Sequence, residues 1–274
     1  MDIAEILSYG FMQRALLAGS LIAVLCAVLG CFLVLRRLSL IGDGLAHVTF
    51  GSVALALLLK FYAASALFVS LPVVMLCSLG ILKLTERARV TGDAAIGIVS
   101  SLGIAIGVIL ASLGGGFTAD LFSYLFGNIL AISRAEVLLA VVLCTTVLLL
   151  VTFFYHELVA ITFNEELARI SGIRTGRISS LLVLLTALTV VLAMKLVGIM
   201  LISALLILPS SAALQLARGF RTTLVLAALL GVIAVIGGTF VSVVLNIPTG
   251  ATIVLLNFMI FGLACFGKRL LAQE

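Results

Sequence analysis

Long apolar segments separated by short charged clusters run the length of this sequence, and they limit its possible folds more than any other feature. Of its 274 residues, 64% are hydrophobic and only 10% are charged, whereas soluble domains are about 45–50% apolar and roughly 25% charged. This composition excludes a soluble protein. It leaves no room for a separate aqueous catalytic domain beside the apolar segments.

The charged clusters divide the chain into segments of the length that crosses a membrane. A helix needs about 20 apolar residues to cross a bilayer. Nine spans are predicted, at residues 11–35, 41–60, 62–83, 93–113, 135–155, 178–194, 197–217, 222–245 and 249–266. Residues 118–131 are apolar but too short to span, which predicts an interfacial or partly inserted helix. The predicted fold is therefore an all-α polytopic membrane protein, with residues 1–274 forming one transmembrane domain.

The basic residues predict the orientation of these spans. If the N-terminus lies outside, twelve of the sixteen Lys and Arg residues fall in cytoplasmic connections, as the positive-inside rule expects. The predicted orientation is thus N-terminus outside and C-terminus cytoplasmic. The start of the chain lacks the basic region of a signal peptide, so the first span is expected to be retained. The cations belong to membrane connections, and nucleic-acid binding is not indicated.

Asp43 and His47 are the strongest candidates for chemistry inside the membrane. An ionisable side chain costs at least about 2.5–3.5 kcal/mol near the centre of a membrane helix, so its presence there indicates function. These two residues lie four apart at the start of the second predicted span, and on a helix this spacing brings both side chains to one face. A carboxylate with an imidazole suits a divalent ion such as Zn²⁺ or Mn²⁺. The alternative is that the two side chains only neutralise each other, and the sequence identifies no further ligands.

Residues 156–177 form the only conspicuous hydrophilic segment, a cytoplasmic loop in the predicted orientation. Asn164 is suited to cap the N-terminus of a helix, because its side chain can accept a backbone hydrogen bond. Glu165 and Glu166 suit the positive end of the helix dipole. Gly172 can adopt the left-handed conformation that ends a helix. The segment therefore predicts a short capped helix.

Five passages, which together cover nearly the whole chain, carry a resemblance to a known family. They are RRLSLIGDGLAHVTFGSVAL at 36–55, GDAAIGIVSSLGIAIGV at 92–108, DLFSYLFGNIL at 120–130, VGIMLISALLILPSSAALQLA at 197–217 and NIPTGATIVLL at 246–256. In order and separation they resemble the permease subunits of the zinc, manganese and iron class of ABC importers. One departure is Asn246, where the family usually has an acidic residue, so the resemblance assigns no electrostatic role to this position.

The resemblance implies a homodimer of permeases in the plasma (inner) membrane of a prokaryote. Each permease would bind a cytoplasmic ATP-binding subunit and would receive its ion from an extracytoplasmic metal-binding protein. The translocation path of this family falls on Asp43 and His47, and the ion would be divalent zinc or manganese. The resemblance implies a transport subunit with no tightly bound cofactor, and not an enzyme, because the partner subunit hydrolyses ATP.

The same resemblance identifies the passage FNEELARISGI as the ATPase-coupling segment, with Glu165 at its start. Glu166, Ala168 and Gly172 match the E-x-A-x-x-x-G core of importer coupling loops. In this interpretation a short helix rests in a groove of the ATPase, and the small Ala168 permits close contact there.

A second class of function remains open from the sequence. A self-sufficient secondary metal-ion transporter or channel would use a proton or sodium gradient in place of ATP, with Asp43 as a proton carrier. An intramembrane enzyme is a more distant alternative. The capped helix separates the first two classes, because a self-sufficient carrier needs no docking element. Neither the transported metal nor the depth of Asp43 in the membrane follows from the sequence.

Overall fold

Residues 9–59, 66–87, 90–114 and 132–271 are described by a computed structural model, and all regular structure in these ranges is helical. The helices, in chain order, are α1 (Gly10–Leu35), α2 (Ile41–Leu58), α3 (Ala66–Arg87), α4 (Gly92–Leu113), α5 (Arg134–Phe153), α6 (Tyr155–Phe163), α7 (Glu165–Ile170), α8 (Thr175–Val197), α9 (Ile199–Leu216), α10 (Phe220–Leu245) and α11 (Thr249–Leu271). The predicted all-α fold is confirmed.

Within the described ranges, nine helices are long and apolar enough to cross a membrane, namely α1 to α5 and α8 to α11. This confirms the predicted number of spans, although several boundaries differ by a few residues. The orientation of the two termini remains a prediction. The interfacial helix predicted at 118–131 lies outside the described residues.

The spanning helices differ in how much of their surface the rest of the chain covers. Most of α1, α2 and α8 is buried inside the protein, whereas only 22–28% of α3, α4, α5 and α11 is buried. A helix that is apolar on all sides is stable either in a protein core or against lipid. The fold therefore places α1, α2 and α8 in the interior and the other four at the periphery, where side chains such as Phe68 and Leu76 are exposed.

Glycines allow α2 to pack against α4 at backbone distance. A methyl group at Gly103 of α4 would lie 2.8 Å from the amide nitrogen of Val48 and 3.0 Å from the carbonyl carbon of His47. A methyl group at Gly51 of α2 would lie 2.7 Å from the carbonyl oxygen of Gly103. Small residues let membrane helices approach this closely, because their backbones can then make direct van der Waals contact. The backbone at His47 is therefore held directly against α4.

Asn246, the departure from the resemblance, ends α10 in the left-handed conformation, with φ 53° and ψ 46°. Asn adopts this conformation more readily than most residues with a side chain. The following loop is closed by Ser242, whose hydroxyl donates to the carbonyl oxygen of Ile247 at 2.6 Å. Residue 246 therefore has a backbone role at the end of α10 that requires no charge.

Candidate metal site and coupling segment

Asp43 and His47 face each other on the first two turns of α2. His47 Nε2 lies 3.5 Å from Asp43 Oδ2, and the side chains are 26% and 44% exposed, respectively. The predicted sharing of one helix face is confirmed. Because neither side chain is fully buried, a small ion could reach both. This separation is compatible with a neutralised pair and with a metal-binding pair.

Ser203 of α9 is the third member of the site, and sequence reasoning missed it. Its hydroxyl donates a hydrogen bond to Asp43 Oδ1 at 3.2 Å. The carboxylate is therefore held from both sides, by Ser203 at one oxygen and by His47 at the other. A ligand that is oriented by neighbouring hydrogen bonds loses less freedom when it binds an ion. The only signal in the sequence was a hydroxyl inside a mostly apolar span, and it could not identify a partner 160 residues away.

The close packing around this site comes from both neighbouring helices. A methyl group at Gly42 would collide with the side chain of Leu206 on α9, and one at Gly44 would lie 2.7 Å from a methyl carbon of Ile96 on α4. Asp43 is thus carried on a turn of α2 that is wedged between α9 and α4. In the described part of the chain, no group of three or more His, Cys, Asp or Glu residues is placed to hold a metal ion.

The capped helix predicted in the 156–177 segment is present as α7. Asn164 Oδ1 accepts a hydrogen bond from the Leu167 amide at 3.0 Å, which confirms the predicted N-cap. At the other end, Gly172 has φ +85°, and the amide of Ile173 donates to the carbonyl oxygen of Ala168 at 3.0 Å. This is the Schellman arrangement, in which a left-handed residue satisfies the last carbonyls of a helix. Both ends of α7 are therefore fixed by the sequence signals that predicted them.

The two sides of α7 differ in burial. Ala168 is only 3% exposed and packs into the core of the chain itself, whereas its contact with an ATPase stays a prediction. Its small size is needed because α7 lies against the body of the protein. The exposed residues of α7 include two large apolar side chains, Leu167 at 61% and Ile170 at 83% exposed, beside the charged Glu166 and Arg169. Phe163, the last residue of α6, is also exposed and is separated from α7 by the extended residue Asn164.

Glu165 is intermediate in exposure and contacts the body of the protein, whereas Glu166 is exposed. Arg36, at the end of α1, places Nη2 2.9 Å from Glu165 Oε2. The other terminal nitrogen of Arg36 donates to the hydroxyl of Ser179 on α8 at 3.0 Å. One guanidinium therefore joins α1, α7 and α8. Sequence reasoning counted Arg36 only as a basic residue of a connection.

Comparisons with known proteins agree with this architecture. The profile of the ABC 3 transport family matches residues 8–268. The manganese transport system membrane protein MntC of Halalkalibacterium halodurans is 36% identical over 96% of this chain and 89% of its own length. The high-affinity zinc uptake system membrane protein ZnuB of Haemophilus influenzae is 30% identical over 93% of this chain and 97% of its own.

A solved structure of similar fold is that of PsaBC from Streptococcus pneumoniae in complex with Fab. It superposes with a TM-score of 0.84 at 30% sequence identity, covering 96% of this chain and 93% of that one. The profile match and the curated relatives each extend over nearly the whole chain. The chain therefore belongs to the ABC 3 transport family.

Proposed function

We propose that this chain is the permease subunit of an ATP-driven importer of a divalent transition metal, manganese or zinc. It is a multi-pass protein of a prokaryotic plasma membrane, and its relatives are named for manganese and zinc transport. The observation that carries the proposal is the juxtaposition of Asp43, His47 and Ser203 between two helices of the bundle. The ion is the transported substrate, and no tightly bound cofactor is part of the proposal.

The proposed partners are those that the resemblance to this family implies. The permease acts as a homodimer with a cytoplasmic ATP-binding subunit, and an extracytoplasmic binding protein delivers the metal. In this arrangement the N-terminus lies outside, and the C-terminus and the 156–177 segment lie in the cytoplasm. Conformational change driven by ATP then opens the path to each side of the membrane in turn.

In the proposed path, Asp43 and His47 replace part of the hydration shell of the ion. The carboxylate supplies charge, and the imidazole supplies a nitrogen ligand that manganese and zinc both accept. Ser203 keeps Asp43 Oδ1 oriented while Oδ2 faces His47. A site with few protein ligands suits transport, because an ion must bind well enough to enter and weakly enough to leave.

The proposed coupling surface is the outward side of α7. It consists of Phe163, Leu167 and Ile170, which are all exposed, and Glu166 lies beside it. Leu167 and Ile170 are three residues apart and lie on one side of α7, while Phe163 ends the preceding helix α6. Exposed apolar side chains on one side of a helix are the pattern that docks in an apolar groove. Ala168 and Gly172 support this surface from within, by packing α7 against the body and by ending it.

Reconstitution tests the proposed function directly. We expect metal uptake into proteoliposomes only when the permease is combined with its ATP-binding subunit, the binding protein and ATP. The permease alone is expected to hydrolyse no ATP. Residues 262–269, GLACFGKR, resemble the phosphate-binding sequence GxxxxGK[ST] but lie within α11. Helical hydrogen bonds there occupy the backbone amides that would bind phosphate. Uptake by the permease alone, driven by a proton or sodium gradient, would establish the self-sufficient carrier instead.

The coupling surface has its own test. Leu167→Glu is expected to weaken binding of the ATP-binding subunit by about tenfold or more, since a charge would enter an apolar contact. The melting temperature of the permease should remain unchanged, because Leu167 is exposed. The control Gly176→Glu adds the same side chain at an exposed position with nothing within 4 Å, and binding should persist. Wild-type affinity in Leu167→Glu would remove the surface from the coupling contact.

Ala168→Trp should behave differently from Leu167→Glu. Its extra bulk would enter the core of the permease, so the variant should lose stability by about 1–3 kcal/mol through overpacking.

A further inference from the structure

We propose that the ion pair of Arg36 and Glu165 transmits the movement of α7 to the helix that carries Asp43 and His47. In this role Arg36 and Glu165 are positioning residues, which touch neither the metal nor ATP. The inference rests on the proposed function and assigns a route between its two sites. It concerns a contact inside the chain, distinct from the docking surface on the other side of α7.

The first support is the geometry of Arg36. Its side chain is only 10% exposed, and its two terminal nitrogens contact Glu165 Oε2 at 2.9 Å and Ser179 Oγ at 3.0 Å. A guanidinium has a planar, rigid arrangement of donors, so it holds such partners with a defined direction. The Glu165 side chain is 38% exposed, so water screens the pair in part, and the support comes from the direction of these contacts and not from the strength of the ion pair. A displacement of Glu165 therefore pulls on the end of α1.

The second support is the stiffness of the turn between Arg36 and α2. Arg37 has φ 58°, and its amide donates to the carbonyl oxygen of Val34 at 3.2 Å. The Leu38 amide donates to the carbonyl oxygen of Leu33 at 2.9 Å, and the Ile41 amide donates to that of Leu38 at 3.1 Å. The bonds donated by Arg37 and Leu38 form a second Schellman arrangement. The bond donated by Ile41 joins this turn to the start of α2. The turn has no slack segment that could absorb a shift of Arg36 before it reaches Asp43, two residues beyond Ile41.

The third support is free space beside the ion pair. A cavity of about 510 Å³ is bounded by Arg36, Glu165, Ile41 and the start of α4 at Gly92. Packed protein interiors do not deform continuously, so a change of position requires a second arrangement that the surroundings can accept. The cavity gives both side chains and the first turn of α2 room for such an arrangement.

The route also explains the position of Glu165 on α7. A residue that served only to dock the ATPase would be expected on the outward side, with Leu167 and Ile170. Glu165 instead directs its carboxylate to the base of α1. Asp43 lies seven positions after Arg36 in the sequence, so the contact to the coupling segment and the proposed contact to the ion belong to one continuous stretch of chain.

The experiment measures metal ions transported per ATP hydrolysed by the complete reconstituted complex. The variants are Glu165→Gln, Arg36→Lys and the exchanged pair Arg36→Glu with Glu165→Arg, and the control is Glu157→Gln on α6. We expect Glu165→Gln to lower the transport ratio by about tenfold, which is a typical coupling between sites, while the affinity for the ATP-binding subunit stays within twofold of wild type, about the error of such measurements. The exchanged pair should recover most of the ratio, and Glu157→Gln should match wild type.

Two results would overturn the inference. A wild-type transport ratio in Glu165→Gln would show that the ion pair transmits nothing. Loss of affinity for the ATP-binding subunit in Glu165→Gln would make Glu165 a docking residue. If Glu165→Gln fails to fold, Arg36→Lys, which keeps the charge but not the planar arrangement, provides the same comparison. Absence of ATP-driven uptake in the wild-type complex would instead contradict the proposed function itself.

Discussion

Asp43→Ala and His47→Ala are each expected to reduce metal uptake by about 100-fold or more, since even neighbours that only orient metal ligands contribute about 10–100-fold. Each substitution removes one of the two proposed metal ligands, the carboxylate of Asp43 or the imidazole of His47. Both variants should still assemble with the ATP-binding subunit, because α7 and its surface are untouched. Uptake of radioactive manganese and zinc into proteoliposomes, with co-purification of the subunits, measures both properties.

The controls separate a metal site from a neutralised pair. Asp93→Ala removes an exposed carboxylate from the first turn of α4 and should leave uptake unchanged. Ser203→Ala should have an intermediate effect, about tenfold, because it frees the orientation of Asp43 without removing a charged ligand. Uptake at the wild-type rate in either Asp43→Ala or His47→Ala would refute the metal role and support the neutralised pair.

The parts of this molecule that sequence reasoning predicted well depend on local patterns. The number of spans follows from the lengths of apolar segments between charges. The cap at Asn164 and the termination at Gly172 follow from side-chain and backbone preferences within a few residues. The shared face of Asp43 and His47 follows from helical periodicity alone. None of these requires knowledge of which helices are neighbours.

The parts that were missed depend on which helices meet. Ser203 reaches Asp43 across 160 residues of sequence, and Arg36 reaches Glu165 across 129. Periodicity places Ala168 on a side of α7 but does not say which side packs against the protein. The sequence therefore indicated the short helix α7 and its ends but not the directions of its side chains, such as the burial of Ala168 inside the chain.

The packing of helices against one another combines local sequence patterns with long-range contacts. Between α2 and α4 the two backbones touch directly. Metal ligands must hold a defined geometry, so the backbone that carries them needs support from its neighbours. At His47 this support is the backbone of α4, without an intervening side chain on Gly103. The contact contributes no ligand and no charge, yet it determines how far α2 lies from α4.

Enlarging Gly103 is therefore expected to disable transport although the residue does not contact the ion. In Gly103→Ala the new carbon would meet the Val48 amide nitrogen at 2.8 Å and its Cα at 2.9 Å, which forces the helices apart. Gly103→Leu should reduce uptake by about 100-fold and destabilise the permease by about 1–3 kcal/mol or more through overpacking, with Gly103→Ala between it and wild type.

Gly97 supplies the matched control for this prediction, since it lies on the same helix and a side chain there meets nothing within 4 Å. Gly97→Leu should retain uptake and stability, because an apolar side chain at this exposed position of a spanning helix faces lipid. Uptake and melting temperature, measured for both leucine variants in one preparation, give the comparison. Equal uptake in Gly103→Leu and Gly97→Leu would mean that α2 keeps its position without the close contact to α4, and that His47 is positioned by α2 and α9 alone.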